Sequence, residues 1–334
     1  MNCERGLERN QQNGHEPQGA EDIFLPVTKT LKSLRHGVEA VGFFAIMGFF
    51  RMLGVERASA AGGKFARFFG PMVPVTKRAR TNLEMCFPEK TSSELQEIIS
   101  DMWENLGRTF AEYAHLDKFS IDEGNDYIEL EGFAHAEAVK EQGRGALFLA
   151  GHFGNWELLP LLLNKSMFAG AAIYRTANNP FVDRWLLKRR RAFINPSLIP
   201  KGAQGARQFI SILKNKGYVG LLVDQKLNDG IPVAFFGRNA MTAPAPAQLS
   251  LRYGFPLIPT SFRRVKGCHF KMTIHPPLQF QPSGNRTDDI AKFTLIINQW
   301  LEDTIREAPG QWLWLHNRWP KQDAQSNFSM GDAA

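Results

Sequence analysis

The sequence has little of what usually marks the common function classes. Three cysteines occur in 334 residues, Cys3, Cys86 and Cys268, far apart and with no C-x-x-C pair. That spacing excludes a disulfide framework and a zinc-finger module, and it fits a reducing compartment. There is no G-x-S-x-G, no H-E-x-x-H, no Walker A loop and no dinucleotide fingerprint. Serine-hydrolase, zinc-protease, P-loop and nicotinamide chemistry therefore lack their usual carriers, and neither a metal nor a cofactor is expected. The first 22 residues are polar and contain no apolar h-region, so no cleavable signal peptide is read there and disorder is expected. No internal repeat and no long Pro/Ser-rich linker follows.

What is present is apolar and basic. The chain is 43% hydrophobic, enough for a sizeable core, and its 40 Lys and Arg against 33 Asp and Glu give a net charge of +7. Such a charge suits nucleic acid, an anionic membrane surface or a phosphorylated substrate. No nucleic-acid-binding motif accompanies it, so no nucleic-acid partner is expected. The longest apolar stretch is VEAVGFFAIMGFFRML, residues 38–53, flanked by Lys29, Lys32, Arg35, Arg51 and Arg57. Only eleven uncharged residues separate Glu39 from Arg51, short of the ~20 that a span usually needs. The stretch is apolar all round, which points to a membrane-associated helix, lying in the interface or spanning with snorkelling ends. The competing reading is a buried core helix.

Residues 23–125 read mostly helical, with a capping-box pattern at Thr91 and Glu94. From residue 126 to 322 strands and helices alternate. Strands are expected at 127–131, 146–150, 171–174, 218–223, 256–262 and 270–275. Helices are expected at 133–141, 156–163, 180–193, 203–215, 245–253 and 288–307. Residues 323–334 read as a disordered tail. The runs ALFLA (146–150) and YVGLLV (218–223) have the profile of buried central strands. Alternation of this kind implies one α/β sheet covered by helices on both faces. Sites in such sheets lie at the carboxyl ends of strands, here Gly151–His152 and Asp224–Gln225.

His152 follows a buried strand, and Glu157 falls in the first turn of the next helix, with Asn155 as its N-cap. A carboxylate placed there can accept the imidazole N–H, fix the tautomer and stabilise the imidazolium. The chemistry implied is proton removal from an alcohol that then attacks a carbonyl. H-x4-[DE] alone is weak, because a chain with eight histidines yields roughly one such match by chance. On these features alone a core histidine at a strand end fits equally well.

Four blocks in order make the pattern specific. GHFGNWE (151–157), YRTANNP (174–180), GLLVDQ with PVAFFG (220–225 and 232–237), and QWLWLHNRW (311–319) resemble the signature blocks of the bacterial lipid A late acyltransferases. That lauroyl/myristoyl transferase family lies within the H-x4-D/E glycerolipid acyltransferase superfamily, and the resemblance covers roughly residues 25–322. It implies a single mixed sheet flanked by helices behind an N-terminal membrane helix. It also implies an acyl-carrier-protein thioester as donor and a phosphorylated lipid A precursor as acceptor, at the cytoplasmic face of the inner membrane. His152 would be the base oriented by Glu157. Asn155, Arg175, Asn179, Asp224, Gln225, Gly237 and Arg238 would line the substrate site, with Arg175 on an acceptor phosphate, a role for which a forked guanidinium is suited. The phosphatidylinositol mannoside acyltransferases carry a similar G-N-W-D, so transfer to another membrane lipid is the alternative, and an inactive membrane scaffold is a second. The tryptophan-rich last block favours the lipid A branch. Lys188–Arg191 forms the strongest basic run, read either as a contact for anionic headgroups at ~1 kcal/mol per residue or as a solvated helix face.

Overall fold

The computed structural model describes residues 21–122, 124–163, 168–174, 176–193, 197–200 and 203–319. The expected disordered ends therefore lie outside it, apart from two residues that begin a helix, and so does Arg175. The described residues open with four α-helices, α1 (Glu21–Leu53), α2 (Val55–Phe69), α3 (Thr76–Cys86) and α4 (Ser92–Glu112). The rest alternates: β1 (Ile128–Glu131), α5 (Phe133–Glu141), β2 (Ala146–Ala150), β3 (Gly170–Tyr174), α6 (Pro180–Phe193), β4 (Ser197–Pro200), α7 (Ala203–Lys214) and β5 (Tyr218–Leu222). It closes with β6 (Ile231–Phe235), β7 (Arg238–Thr242), α8 (Ala245–Tyr253), β8 (Leu257–Lys266), β9 (His269–Ile274) and α9 (Arg286–Glu307).

One seven-stranded sheet forms in the order β1-β9-β8-β2-β5-β3-β4. All neighbours pair in parallel except β8 with β9, so the sheet is mixed, as expected. β2 is buried along its whole length because helices cover both faces, which is why its sequence is a continuous apolar run. β2 and β5 pair in register, Ala150 beside Leu222. The ladder continues one step further, with Val223 N–H donating to Ala150 O at 2.9 Å. His152 and Asp224 are thus both two residues beyond their strands and stand side by side.

The helical segment supports that end of the sheet. Thr91 and Glu94 form the capping box that starts α4. α2 lies against α4 through Gly62 and Gly107, where a Cβ on Gly62 would fall 2.5 Å from Gly107 O. Two elements were not foreseen in the sequence: the short edge strand β4, and the β6–β7 hairpin, whose Phe235 stacks on Trp319. Residues 156–163 form a 3-10 turn in place of the expected α-helix, with Pro160 lacking an amide donor inside it.

Residues 38–53 are the second half of the long helix α1. Among the described residues, Lys32–Leu53 is the one stretch long and apolar enough to cross a membrane, with a mean hydropathy of 1.3, and only 17% of it is buried. One edge is tied down. Phe43 packs on Trp185 and Phe110, Asn179 donates to His36 O, and Arg51 forks onto Asp117. The rest, including Val38, Val41, Ile46, Phe49 and Met52, is exposed, which is not the pattern of a core helix.

Candidate active site

Asp224, fully buried, accepts three N–H groups. The His152 imidazole approaches its Oδ1 through Nδ1 at 2.8 Å, and the His152 backbone amide and the Trp312 indole reach Oδ2 at 2.7 and 2.8 Å. Burial pushes this carboxyl up, but the His152 charge and those hydrogen bonds outweigh it and hold it well below the usual carboxylate range. An ionised acceptor on Nδ1 fixes the tautomer with its proton on Nδ1 and a lone pair on Nε2. Only 11% of the His152 side chain is exposed, and its ring packs beside Trp156 and His316.

The expected partnership of His152 with Glu157 is therefore corrected. Glu157 turns the other way and takes a two-pronged hydrogen bond from Arg190, at 2.8 and 2.9 Å. The reason is geometric: the strand register delivers Asp224 to Nδ1, whereas the 3-10 turn carries Glu157 towards α6. The Arg190 guanidinium is pushed down by burial and raised more strongly by the Glu157 charge and by Tyr113, so it stays cationic. Within the basic run, Arg190 is thus engaged by Glu157, and the neighbouring Arg189 lies 3.7 Å from Asp117.

The turn between His152 and Glu157 is held from below. Gly154 adopts φ +50°, and a Cβ there would fall 2.3 Å from Phe262 O, so glycine is required. Its carbonyl accepts from Asn105 at 2.9 Å and Thr109 at 3.0 Å. Asn155 is fully buried, capping the turn through its carbonyl and donating to Glu112 at 2.9 Å. Glu112 in turn receives Ser59 and both terminal nitrogens of Arg264, a buried guanidinium stacked 4.5 Å from the Phe270 ring. The amide nitrogen and carbonyl oxygen of Asn155 are thus both engaged within the protein.

Gln225 does reach the site. Its amide nitrogen is 3.1 Å from His152 Nε2 and 3.1 Å from His316 Nε2. Sequence reasoning had not singled out His316, Glu112 or Arg264. The one available signal was that His316 belongs to the block 311–319. Burial, followed by the nearby His152 charge, pushes His316 down to about 4. Buried Arg318, which donates to Met241 O and Thr242, is pushed down to about 10 by burial.

The remaining expected residues sit at a helix cap and a hairpin turn. Asn179 caps α6 through its carbonyl and ties that helix to α1 at His36 O and Glu39. Gly237, at φ +70°, makes the turn between β6 and β7, and Arg238 follows it close enough to Cys86 to influence the thiol. Glu56, Cys268 and His269 bring potential metal-ligand atoms within 4.8 Å of one another. The Cys268 thiol there is pushed up to about 12 by burial and by Glu56, which disfavours the thiolate that a metal needs.

Comparison with known proteins gives a consistent result. The family model described as bacterial lipid A biosynthesis acyltransferase matches residues 27–321. The chain is 27% identical to a lipid A biosynthesis lauroyltransferase of Escherichia coli, covering 79% of this chain and 84% of that protein. It is 25% identical to the palmitoleoyltransferase of the same organism, over 72% and 77%, and 23% identical to its myristoyltransferase, over 76% and 77%.

Proposed function

The chain belongs to the bacterial lipid A biosynthesis acyltransferases, and on that premise we propose that His152 is its general base and that Asp224 is the carboxylate that orients it. The enzyme is an acyltransferase of lipid A biosynthesis. In our reading the donor is an acyl thioester on acyl-carrier protein, and the acceptor is a hydroxyl of a phosphorylated lipid A precursor. A hydroxyl hydrogen-bonded to His152 Nε2 loses its proton as its oxygen attacks the thioester carbonyl. Asp224 stabilises the imidazolium that results. Collapse of the tetrahedral intermediate breaks the C–S bond, and the departing thiolate takes the proton back from Nε2.

The observation that carries this reading is the 2.8 Å contact of Nδ1 with an ionised, three-times hydrogen-bonded Asp224, which leaves the Nε2 lone pair to act as the base. Glu157 and Arg190 then act as a strut between the catalytic turn and α6. The exposed face of α1 supports attachment to the cytoplasmic side of the inner membrane, where a lipid acceptor and a soluble carrier meet. The test uses purified enzyme in detergent with acyl-carrier-protein thioester and lipid A precursor, products being read by mass spectrometry. His152→Ala should lower kcat by ~10²–10⁴ with the circular dichroism of wild type. Near-normal turnover by a folded variant would overturn the assignment.

A further inference from the structure

The lone pair assigned to the base is already engaged. The Gln225 amide nitrogen stands 3.1 Å from Nε2 of His152 and 3.1 Å from Nε2 of His316, between two rings whose centres are 5.0 Å apart. A primary amide has two N–H bonds that diverge, and here each has an imidazole nitrogen as acceptor. In the neutral His152 ring that a base requires, the proton lies on Nδ1 facing Asp224, and Nε2 accepts. At His316 an accepting Nε2 agrees with burial, which keeps that ring neutral near pH 7. Gln225 itself is half-buried and so remains within reach of a substrate.

The backbone that carries His316 is tied down. Its backbone carbonyl accepts from buried Asn82 at 2.9 Å. The same amide nitrogen holds Trp314 O at 2.8 Å, and Arg78 holds Leu315 O at 3.1 Å. Trp312, at the other end of the same segment, is bonded to Asp224. One short segment therefore braces both the acid behind the base and the imidazole beside it.

We propose that Gln225 is a catalytic residue that donates a hydrogen bond to the oxyanion of the tetrahedral intermediate, and that His316 is the positioning residue that aims it. The inference rests on the reading of His152 as the base. An acceptor hydroxyl that binds Nε2 takes the lone pair on which Gln225 now rests, which frees one amide N–H. The second N–H stays on His316, so the amide pivots without leaving. Attack forms the O–C bond, sends the hydroxyl proton to Nε2 and moves the carbonyl π pair onto oxygen. That oxyanion is separated from the hydroxyl oxygen only by the carbonyl carbon, and so develops beside the freed N–H. A preorganised donor aimed at charge that exists only in the transition state acts on kcat. The intermediate then expels thiolate, which takes the Nε2 proton, and Gln225 can return to His152.

The test is a double-mutant cycle on steady-state kinetics with the full chain in detergent. Gln225→Ala should lower kcat by ~10²–10³, the range for loss of one oxyanion donor, with acceptor KM little changed. His316→Leu should lower kcat in the wild-type background and do nothing further in the Gln225→Ala background, because it acts only through that amide. His316→Gln, whose side-chain oxygen can accept in place of Nε2, should restore most of what His316→Leu loses. A Gln225→Ala variant with kcat close to wild type would overturn the proposal, as would a His316→Leu loss of the same factor with and without Gln225. His152→Ala is run alongside. If it stays active the base assignment fails, whereas if it is dead while Gln225→Ala is normal, only the oxyanion assignment fails.

Discussion

Replacing Glu112 should destabilise the enzyme more than replacing any residue that touches the substrate, although it lies behind the catalytic turn. Its carboxylate is fully buried and accepts from Ser59, from Asn155 and from both terminal nitrogens of Arg264. In Glu112→Leu the guanidinium stays buried without its counter-charge, a defect worth ~3–5 kcal/mol. Stranding the Asn155 amide adds ~1–3 kcal/mol. Arg264 keeps Asn105, Thr109, Gly267 O and the Phe270 ring, which offset part of this. A net loss of about 4 kcal/mol follows, or a fall in Tm of roughly 8 °C at about 2 °C per kcal/mol for a chain of this size. Glu112→Gln retains an acceptor oxygen and should lose about half as much, and Arg264→Met combined with Glu112→Leu should regain stability over Glu112→Leu alone. Differential scanning fluorimetry in detergent reads all three. A Glu112→Leu variant within ~1 kcal/mol of wild type would refute the reasoning, because no buried ion pair could then be bracing the turn.

Two further outcomes follow from other parts of the molecule. His316 titrates near 4 in the folded chain and near about 6.5 when unfolded, so the unfolded state takes up the proton first and stability falls as pH drops from about 6.5 to 4. The gap corresponds to about 3 kcal/mol at most, and His316→Gln should flatten that limb of Tm against pH; an unchanged limb would contradict the burial-driven neutrality of His316. On α1, lysine at Val41 and Phe49, both exposed and off the edge that packs on Trp185, should move protein from the membrane pellet to the supernatant without lowering Tm. Equal sedimentation of variant and wild type would remove α1 as the anchor.

The sheet was legible because β2 and β5 are apolar runs bounded by glycine or by polar residues, and the bounds of α5, α6 and α8 follow from their flanking turn residues. β4 and the β6–β7 hairpin were missed because each strand is only four or five residues long and carries proline or polar side chains. The strand-end rule placed His152 and Asp224 at one edge of the sheet, but local spacing favoured Glu157 as the partner. Only the register between strands 72 residues apart reveals the contact with Asp224. The run 188–191 illustrates the same limit, since its charge is visible in the sequence while the Arg190–Glu157 bond depends on how α6 packs. Glu112 and Arg264 are separated by 152 residues and share no local pattern. Asn155 was legible as a cap, and its contact with Glu112 was not.

The central claim is that Asp224, and not Glu157, serves the base, and kcat for Asp224→Asn and Glu157→Gln measured side by side tests it directly. Asp224→Asn keeps the shape but removes the ionised acceptor that sets the His152 tautomer, and in a His–Asp pair of this kind such a change lowers kcat by ~10³–10⁴. Glu157→Gln weakens a strut to Arg190 and should lower Tm while leaving kcat within about tenfold of wild type, as expected for a group that positions without touching the reacting atoms. If Glu157→Gln instead abolishes transfer in a folded protein while Asp224→Asn remains active, the carboxylate behind the base has been misassigned.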